Sequence, residues 1–503
     1  MPLRRLLIAN RGEIAVRIIK ACRERDVESV AVYSDADEHA LHVRLATHAI
    51  RIGPAAPVES YLSIPRLIEA AKSVKADAIH PGYGFLSERA EFAQACEAAG
   101  IVFVGPPSAV IEMMGSKVAA RQLMESAGVP VVPGQTPADQ SDQGIAAAAR
   151  SVGYPALIKA SAGGGGKGMR ALRDERHAIE AIQGARREAA AAFGDGSLYV
   201  ERLIERPRHI EFQILADTHG NILHLFEREC SLQRRHQKVI EESPSTAIDA
   251  SIRAKMGDAA VAAARACGYR NAGTIEFLVE GQGAKARFYF LEMNTRLQVE
   301  HPVTETVLGI DLVHAQLAVA AGEPLPWTQP ALSQKGHAIE CRIYAEDPST
   351  GFLPQSGRLL LYREPSAPGI RIDSGFAEGD TIAVNYDPLI AKLIAYGESR
   401  AVALARAASA LRAFPILGLK TNVPFLLRLL GDPEFRAGNV HTGYIDEHQQ
   451  ALTAEGEVPT AALAAAALAT SAGAARFPDG RTDIAEAEAM QIDPWSSLGA
   501  WGR

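Results

Sequence analysis

Three groups of residues have the types and spacing to act on a phosphate-bearing, anionic substrate. The first is a glycine run, Ser161-Ala162-Gly163-Gly164-Gly165-Gly166-Lys167-Gly168-Met169. It fits GxGxxG, but a dinucleotide fingerprint runs from a strand into a helix. Here the flanks, Ala156-Leu157-Ile158-Lys159-Ala160 and Met169-Arg170-Ala171-Leu172, read as strand, loop and strand. A Walker A motif fails as well, because Gly168 follows Lys167 where Ser or Thr is required. What remains is a hairpin whose bare amides can close over phosphates, since glycine lets backbone approach a ligand closely. The alternative is a flexible surface turn. Lys159 stands in the apolar strand just before the loop, where a buried ammonium is costly unless it meets an anion. Lys117 and Lys238 are further candidates for phosphate contact, although isolated lysines are usually solvated.

The second group is acidic. Glu276 lies between apolar neighbours in Thr274-Ile275-Glu276-Phe277-Leu278-Val279, and Glu292 in Phe288-Tyr289-Phe290-Leu291-Glu292-Met293-Asn294. Asn294, two positions on, shares the face of Glu292 if both lie in a strand. Two adjacent strands would then present Glu276, Glu292 and Asn294 to one volume, a sparse set of oxygen ligands that suits Mg²⁺ completed by phosphate. Outward carboxylates on half-exposed strands are the alternative.

The third group follows directly: Asn294-Thr295-Arg296-Leu297-Gln298-Val299-Glu300-His301-Pro302-Val303-Thr304-Glu305. A planar guanidinium such as Arg296 suits a carboxylate or bicarbonate. Glu300 is a candidate general base if partial burial raises its pKa. A capped helix start with surface charges gives the same pattern. A further charged run, Glu227-Arg228-Glu229-Cys230-Ser231-Leu232-Gln233-Arg234-Arg235-His236-Gln237-Lys238, is expected to be mostly salt-bridged surface, with Cys230 inert.

The elements that must position these groups fall into distinct textures. Strand-like runs at 5–9, 29–33, 76–80 and 101–104 alternate with helical patterns, which predicts an open parallel α/β sheet over residues 1–115. Ligand loops are expected at the carboxyl ends of its strands. Residues 116–447 read as an α+β region, with a small glycine-loop unit at 131–204 and a larger, strand-rich part at 205–447. Residues 460–475 are alanine-rich and helical by propensity. Residues 448–503 as a whole read as a linker and the start of a further, truncated domain.

Composition narrows the function classes. With 503 residues, 47% of them hydrophobic and 22% charged, the chain matches multidomain globular protein. The longest apolar run near the start, Leu6 to Ala9, is too short for a secretory core or a membrane span, and the uncharged, mostly alanine run at 458–475 is too weakly apolar to span. Five widely spaced cysteines without CxxC argue against a disulfide framework or a structural zinc site, and for a reducing, cytoplasmic setting. A net charge of −7 leaves no basic footprint for nucleic acid.

Six stretches together carry a family resemblance: Arg11-Gly12-Glu13-Ile14-Ala15, His80-Pro81-Gly82-Tyr83-Gly84-Phe85-Leu86-Ser87-Glu88, the glycine loop, 233–238, 292–302, and Glu340-Cys341-Arg342-Ile343. In this order they resemble biotin carboxylases of the ATP-grasp superfamily, from residue 1 to about 447, and most of all the carboxylase portion of acyl-CoA carboxylase α chains. The resemblance implies an ATP-grasp fold whose lid is the glycine-loop unit. It implies that Lys117, Lys159, His209 and Lys238 contact nucleotide or phosphate beneath a lid of Gly163, Gly164, Gly165, Gly166 and Gly168. Glu201 and Ile204 would line the adenine hinge, and Gln233 and His236 would help hold the nucleotide. Glu276, Glu292 and Asn294 would bind Mg²⁺ or Mn²⁺. Arg296 with Gln298 and Val299 would hold bicarbonate, Glu300 would deprotonate it, and Arg342 would stabilise the enolate-like oxygen of biotin.

The implied substrates are ATP, bicarbonate and biotin on a carrier. The implied partners are a biotin carrier domain or protein and a carboxyltransferase β subunit, within a homodimer or larger assembly. No lysine follows Lys420, and Gln491 stands where Ala489-Met490-Gln491-Ile492 faintly resembles a biotinylation site. The carrier is therefore expected on another protein, or on a longer chain of which this is a fragment. Another ATP-grasp ligase that forms an acyl phosphate would share the lysines and metal ligands but need not have Arg296, Glu300 and Arg342. A non-catalytic nucleotide-binding subunit would lack some of these residues, and none is missing.

Overall fold

The computed structural model describes residues 3–161, 168–235, 237–454 and 460–474. The described residues up to Thr453 form one compact unit, and those of the stretch 454–474 belong to another. In the second unit the alanine-rich stretch forms a helix, Thr460–Ala474, as its propensity implies. The expected start of a further domain beyond it lies outside the described residues.

The chain begins with the predicted parallel sheet. Its order is His48–Gly53, Glu28–Ser34, Arg5–Ile8, Ala78–His80, Val102–Phe103, with every pairing parallel. The His48–Gly53 strand was not expected. Only Ile52 and Gly53 of it are buried, so it lacks the apolar run that marks the other edges of the pattern. Strand order reverses beside Arg5–Ile8, and the loops at the carboxyl ends of the strands are those expected to carry ligand contacts. Two of these loops bond to each other: Asn10 Nδ2 donates to the carbonyls of Pro81 (2.7 Å) and Tyr83 (2.8 Å). Gly375 approaches so closely that a Cβ there would lie 2.5 Å from the Glu13 nitrogen. From this loop region Glu88 extends to the central site described below.

A small four-stranded antiparallel sheet follows, in the order Gly134–Gln135, Leu198–Arg202, Ala156–Ala160, Arg170–Leu172. Ala156 faces Leu172 and Ile158 faces Arg170, so the glycine loop does join two strands of a hairpin. Helices Asp142–Val152 and Ala178–Phe193 contribute Ile145, Ala149, Ile182 and Ala185 to a separate apolar core with Ile158 and Val200.

The largest sheet has eight strands, in the order Arg287–Asn294, Asn271–Glu280, Arg208–Ala216, Ile222–Arg234, Gln237–Ser243, His337–Tyr344, Leu389–Gly397, Ile370–Ser374. All are antiparallel. Alternation along these strands sorts the side chains onto two faces. Ile210, Phe212 and Ile214 pack with Ile275, Phe277 and Val279 against the helix Ala250–Ala266. His209, Glu211, Gln213, Thr274 and Glu276 project from the other face. At the far end Ile339, Cys341 and Leu393 enter a second core, leaving Glu340, Arg342 and Lys392 on the polar side. No single helix among the described residues is long and apolar enough to cross a membrane.

Candidate active site

Sheet register assembles the site. Glu211 lies opposite Glu276, and Glu276 opposite Glu292, on three adjacent strands. Gln233 lies opposite Lys238, Glu241 opposite Glu340, and Arg342 opposite Lys392. Carboxylates this close cannot all be ionised without cations among them.

Lys238 is the main one. Its side chain is 12% exposed, and its ammonium donates to Glu211 Oε2 (2.5 Å), Glu300 Oε1 (2.6 Å) and Glu276 Oε1 (3.1 Å). Three donors meet three carboxylates, which is the full capacity of a lysine. Burial works against this charge, but Glu211, Glu276 and Glu300 outweigh it and raise the pKa well above the ordinary value. Lys238 is thus no solvated surface lysine. Arg228 is fully buried and completes the arrangement, donating to Glu211 (2.6 Å), Gln213 (2.8 Å) and Thr304 (2.9 Å).

That burial corrects the reading of the 227–238 run as surface. Glu227, Arg228, Glu229, Ser231, Gln233 and Arg234 are all buried, because their strand runs through the middle of the sheet and finds partners on both sides. Cys230 is buried too, and burial pushes its thiol well above the usual range, so it is inert as expected.

Glu300 precedes the helix His301–Leu308 and is fully buried. It accepts from Lys238 and, through Oε2, from Arg342 at 2.9 Å. Arg342 also donates to Glu241 at 2.6 Å. The expectation that burial raises the Glu300 pKa is overturned. Burial does push it up, but Lys238, Arg342 and Arg228 together hold it well below the usual carboxylate range.

Arg296 is tied to Glu88 (2.9 Å), Gln298 Oε1 (2.8 Å) and Asn294 Oδ1 (3.2 Å). Gln298 in turn donates to Thr274 at 2.8 Å. Arg296, Gln298 and Asn294 therefore form one hydrogen-bonded group at the end of the Arg287–Asn294 strand. The Val299 carbonyl accepts from Lys392.

The acidic pair fits a divalent cation. Burial raises Glu276, yet Lys238 and His209, whose Nε2 lies 2.9 Å from Glu276 Oε2, reverse that and keep it ionised. Glu292 has no hydrogen-bond or ion-pair partner among the described residues, and burial followed by the charge of Glu276 raises its pKa. A cation between these two carboxylates would relieve that repulsion.

On the small sheet Lys159 donates to Glu201 at 2.9 Å, and Arg121 donates to the other Glu201 oxygen at 2.8 Å. The Glu201 carboxylate is thus engaged, and Ile204 is buried just beyond the strand. Lys117 opens the helix Lys117–Ser126; burial and the neighbouring Lys159 lower its pKa, while Glu292 and Glu201 oppose that. Gly168 is buried at a positive φ of 70°, and a Cβ there would lie 3.0 Å from that of Ala160. Gly163, Gly164, Gly165, Gly166 and His236 lie outside the described residues.

Sequence reasoning missed Glu211, Arg228, Glu241 and Lys392. The alternation His209, Glu211, Gln213 within a buried strand was a usable signal for the first. Lys392, in Leu389-Ile390-Ala391-Lys392-Leu393-Ile394-Ala395, repeats the pattern that singled out Lys159.

Comparison with known proteins bears on this arrangement. The biotin carboxylase of Halalkalibacterium halodurans is 50% identical over 450 residues, which is 90% of this chain and 99% of that one. The chain belongs to the biotin carboxylase family. Family models for the biotin carboxylase N-terminal domain (residues 2–111), the carbamoyl-phosphate synthase L chain ATP-binding domain (116–328) and the biotin carboxylase C-terminal domain (340–447) match in turn. A biotin carboxylase domain dimer of 2-oxoglutarate carboxylase from Hydrogenobacter thermophilus, solved with MgADP, ADP and bicarbonate, superposes with a TM-score of 0.86. It is 44% identical, covering 91% of this chain and all of that one. The α subunit of mitochondrial methylcrotonoyl-CoA carboxylase from Mus musculus is 51% identical over 449 residues, 89% of this chain. The chain spans 62% of the length of that relative. The fold is thus that of ATP-grasp biotin carboxylases, and the chain is an ATP-dependent ligase.

Proposed function

We propose that the chain carboxylates biotin held on a carrier, using ATP and bicarbonate, as the first half-reaction of an acyl-CoA carboxylase of the methylcrotonyl, geranyl or propionyl type. One observation carries this reading: a single ammonium, Lys238, bonds both Glu276 of the cation-binding pair and Glu300 of the acceptor group. Phosphate chemistry and proton removal therefore share one volume.

In this reading bicarbonate docks on Arg296 beside Gln298 and Val299, and its oxygen attacks the γ-phosphorus of ATP. The bond to the β-phosphate oxygen breaks, giving ADP and carboxyphosphate. Glu300 accepts the bicarbonate proton. It is ionised beforehand, and an arriving phosphate that draws Lys238 away removes a cation from it and makes it more basic. Carboxyphosphate then splits into CO₂ and phosphate. Phosphate takes the proton from the ring nitrogen of biotin, and Arg342 balances charge on the ureido oxygen while that nitrogen attacks CO₂.

Lys117, Lys159, His209, Gln233 and His236 serve the nucleotide, Glu201 and Ile204 its adenine end, and the glycine loop closes over it, which limits wasteful hydrolysis. Glu276 and Glu292, with Asn294 in support, would hold Mg²⁺, which supplies charge neutralisation on the transferring phosphate. A carrier, a carboxyltransferase and a second copy of the chain are the partners this reading requires, in the cytoplasm. The domain division that serves it is 1–115, 131–204 as lid and 205–447.

The test is ATP cleavage measured with bicarbonate and free biotin varied independently. Cleavage should require bicarbonate and rise with biotin. Cleavage indifferent to both would refute the assignment.

A further inference from the structure

The geometry points to Lys392 as a positioning residue for the bicarbonate-binding turn, an inference that rests on assigning Arg296, Gln298 and Val299 to bicarbonate. Lys392 is fully buried in the middle of the strand Leu389–Gly397, with apolar neighbours on either side in sequence. Such an ammonium must be offset by acceptors or it would not be tolerated. Glu340 adds negative charge nearby, and three oxygens, each from a different part of the chain, lie within 3.8 Å. They are the Val299 carbonyl at 2.8 Å, Glu13 Oε1 at 3.2 Å in the helix Gly12–Glu24, and Asp373 Oδ2 at 3.8 Å in the strand Ile370–Ser374.

The shortest contact decides the role. Two carboxylates would satisfy a purely structural lysine, yet the closest acceptor is the neutral carbonyl of the turn. Asp373 has a better partner in Arg371, which holds both of its oxygens at 2.9 and 2.7 Å.

The turn is held on its other side as well. The His301 ring nitrogen Nδ1 lies 2.7 Å from the Gln298 carbonyl, and the His301 amide donates to that carbonyl at 3.3 Å. Two neighbouring cations thus grip successive parts of one segment. Lys392 takes the Val299 carbonyl, and Arg342, its cross-strand neighbour, takes the Glu300 carboxylate. Fixing the peptide between Val299 and Glu300 sets where the bicarbonate site lies relative to the base, and displacements near 1 Å are enough to slow such reactions about 10²-fold.

Glu13 links this device to the N-terminal sheet, since Tyr83 donates to the same Glu13 oxygen that faces Lys392.

The experiment is steady-state ATP cleavage by the full chain carrying Lys392→Met, with bicarbonate and ATP titrated separately. The KM for bicarbonate should rise roughly tenfold to 10²-fold, with the KM for ATP within about twofold of wild type. Because Lys392→Met leaves Glu13 buried without its cation, the double variant Lys392→Met/Glu13→Gln is measured beside it. Its Tm should recover toward wild type while the bicarbonate KM stays high. A bicarbonate KM that recovers along with Tm, or that never changes, would show Lys392 to be a structural tie only. Bicarbonate-independent cleavage by the unmodified chain would instead overturn the underlying assignment.

Discussion

The two faces of the eight-stranded sheet share one backbone and hold opposite chemistry. On one, Phe212 and Phe277 meet edge to face at 6.2 Å within an apolar cluster. On the other, between the same strands, Glu211 sits opposite Glu276 and both share Lys238. The apolar face is stabilised by area removed from water, which is non-directional and tolerant of neighbours. The polar face holds buried ions, each of which is tolerable only while its counter-charges stay in place. Function is therefore concentrated where stability is most conditional, and the two faces should respond differently to substitution.

The largest effect on stability belongs to the apolar face. Phe277→Ala should cost about 3–5 kcal/mol of unfolding free energy, read by denaturant titration, while the folded fraction keeps its nucleotide affinity within about twofold. A loss of affinity matching the loss of stability would show that the faces are not separable.

An effect smaller per residue sharpens a second contrast. Lys238 and Glu276 are buried charged in the central sheet, whereas two imidazoles of the N-terminal part, His42 and His80, are buried neutral, burial lowering each to about 4. The Gly82 amide donates to His80 Nδ1, so Nε2 carries the proton toward Gln316 Oε1. Unfolded, these imidazoles take up protons below about 6.5. Their contribution is thus complete above that pH and is lost as pH falls from about 6.5 to about 4, by about 3 kcal/mol each at the acid end. Urea midpoints taken between pH 7.5 and 4.5 should fall accordingly. A flat profile would mean that the folded protein accepts those protons.

How far the molecule was legible in its sequence follows the same division. The strand-and-helix alternation of the N-terminal sheet, the hairpin around the glycine loop and the Glu276–Glu292 pairing were readable because each depends on a local period. Lys159 was readable from an ammonium in an apolar run. Lys392 offered the same signal, but its meaning depends on Val299, 93 residues away. The Glu300 pKa was read with the wrong sign because the cations that lower it arrive from strands 62 and 42 residues distant. The 227–238 run looked like surface because charge suggests solvent, and only the sheet order places it centrally. Pairing between distant strands is the information that local patterns lack.

The central claim is that Glu300, held ionised between Lys238 and Arg342, takes the bicarbonate proton. The most direct measurement is Glu300→Gln, with nucleotide affinity and bicarbonate-dependent ATP cleavage determined on the same preparation. The account predicts nucleotide binding within about twofold of wild type and turnover reduced roughly 10²-fold or more. Weakened nucleotide binding with wild-type turnover would contradict it.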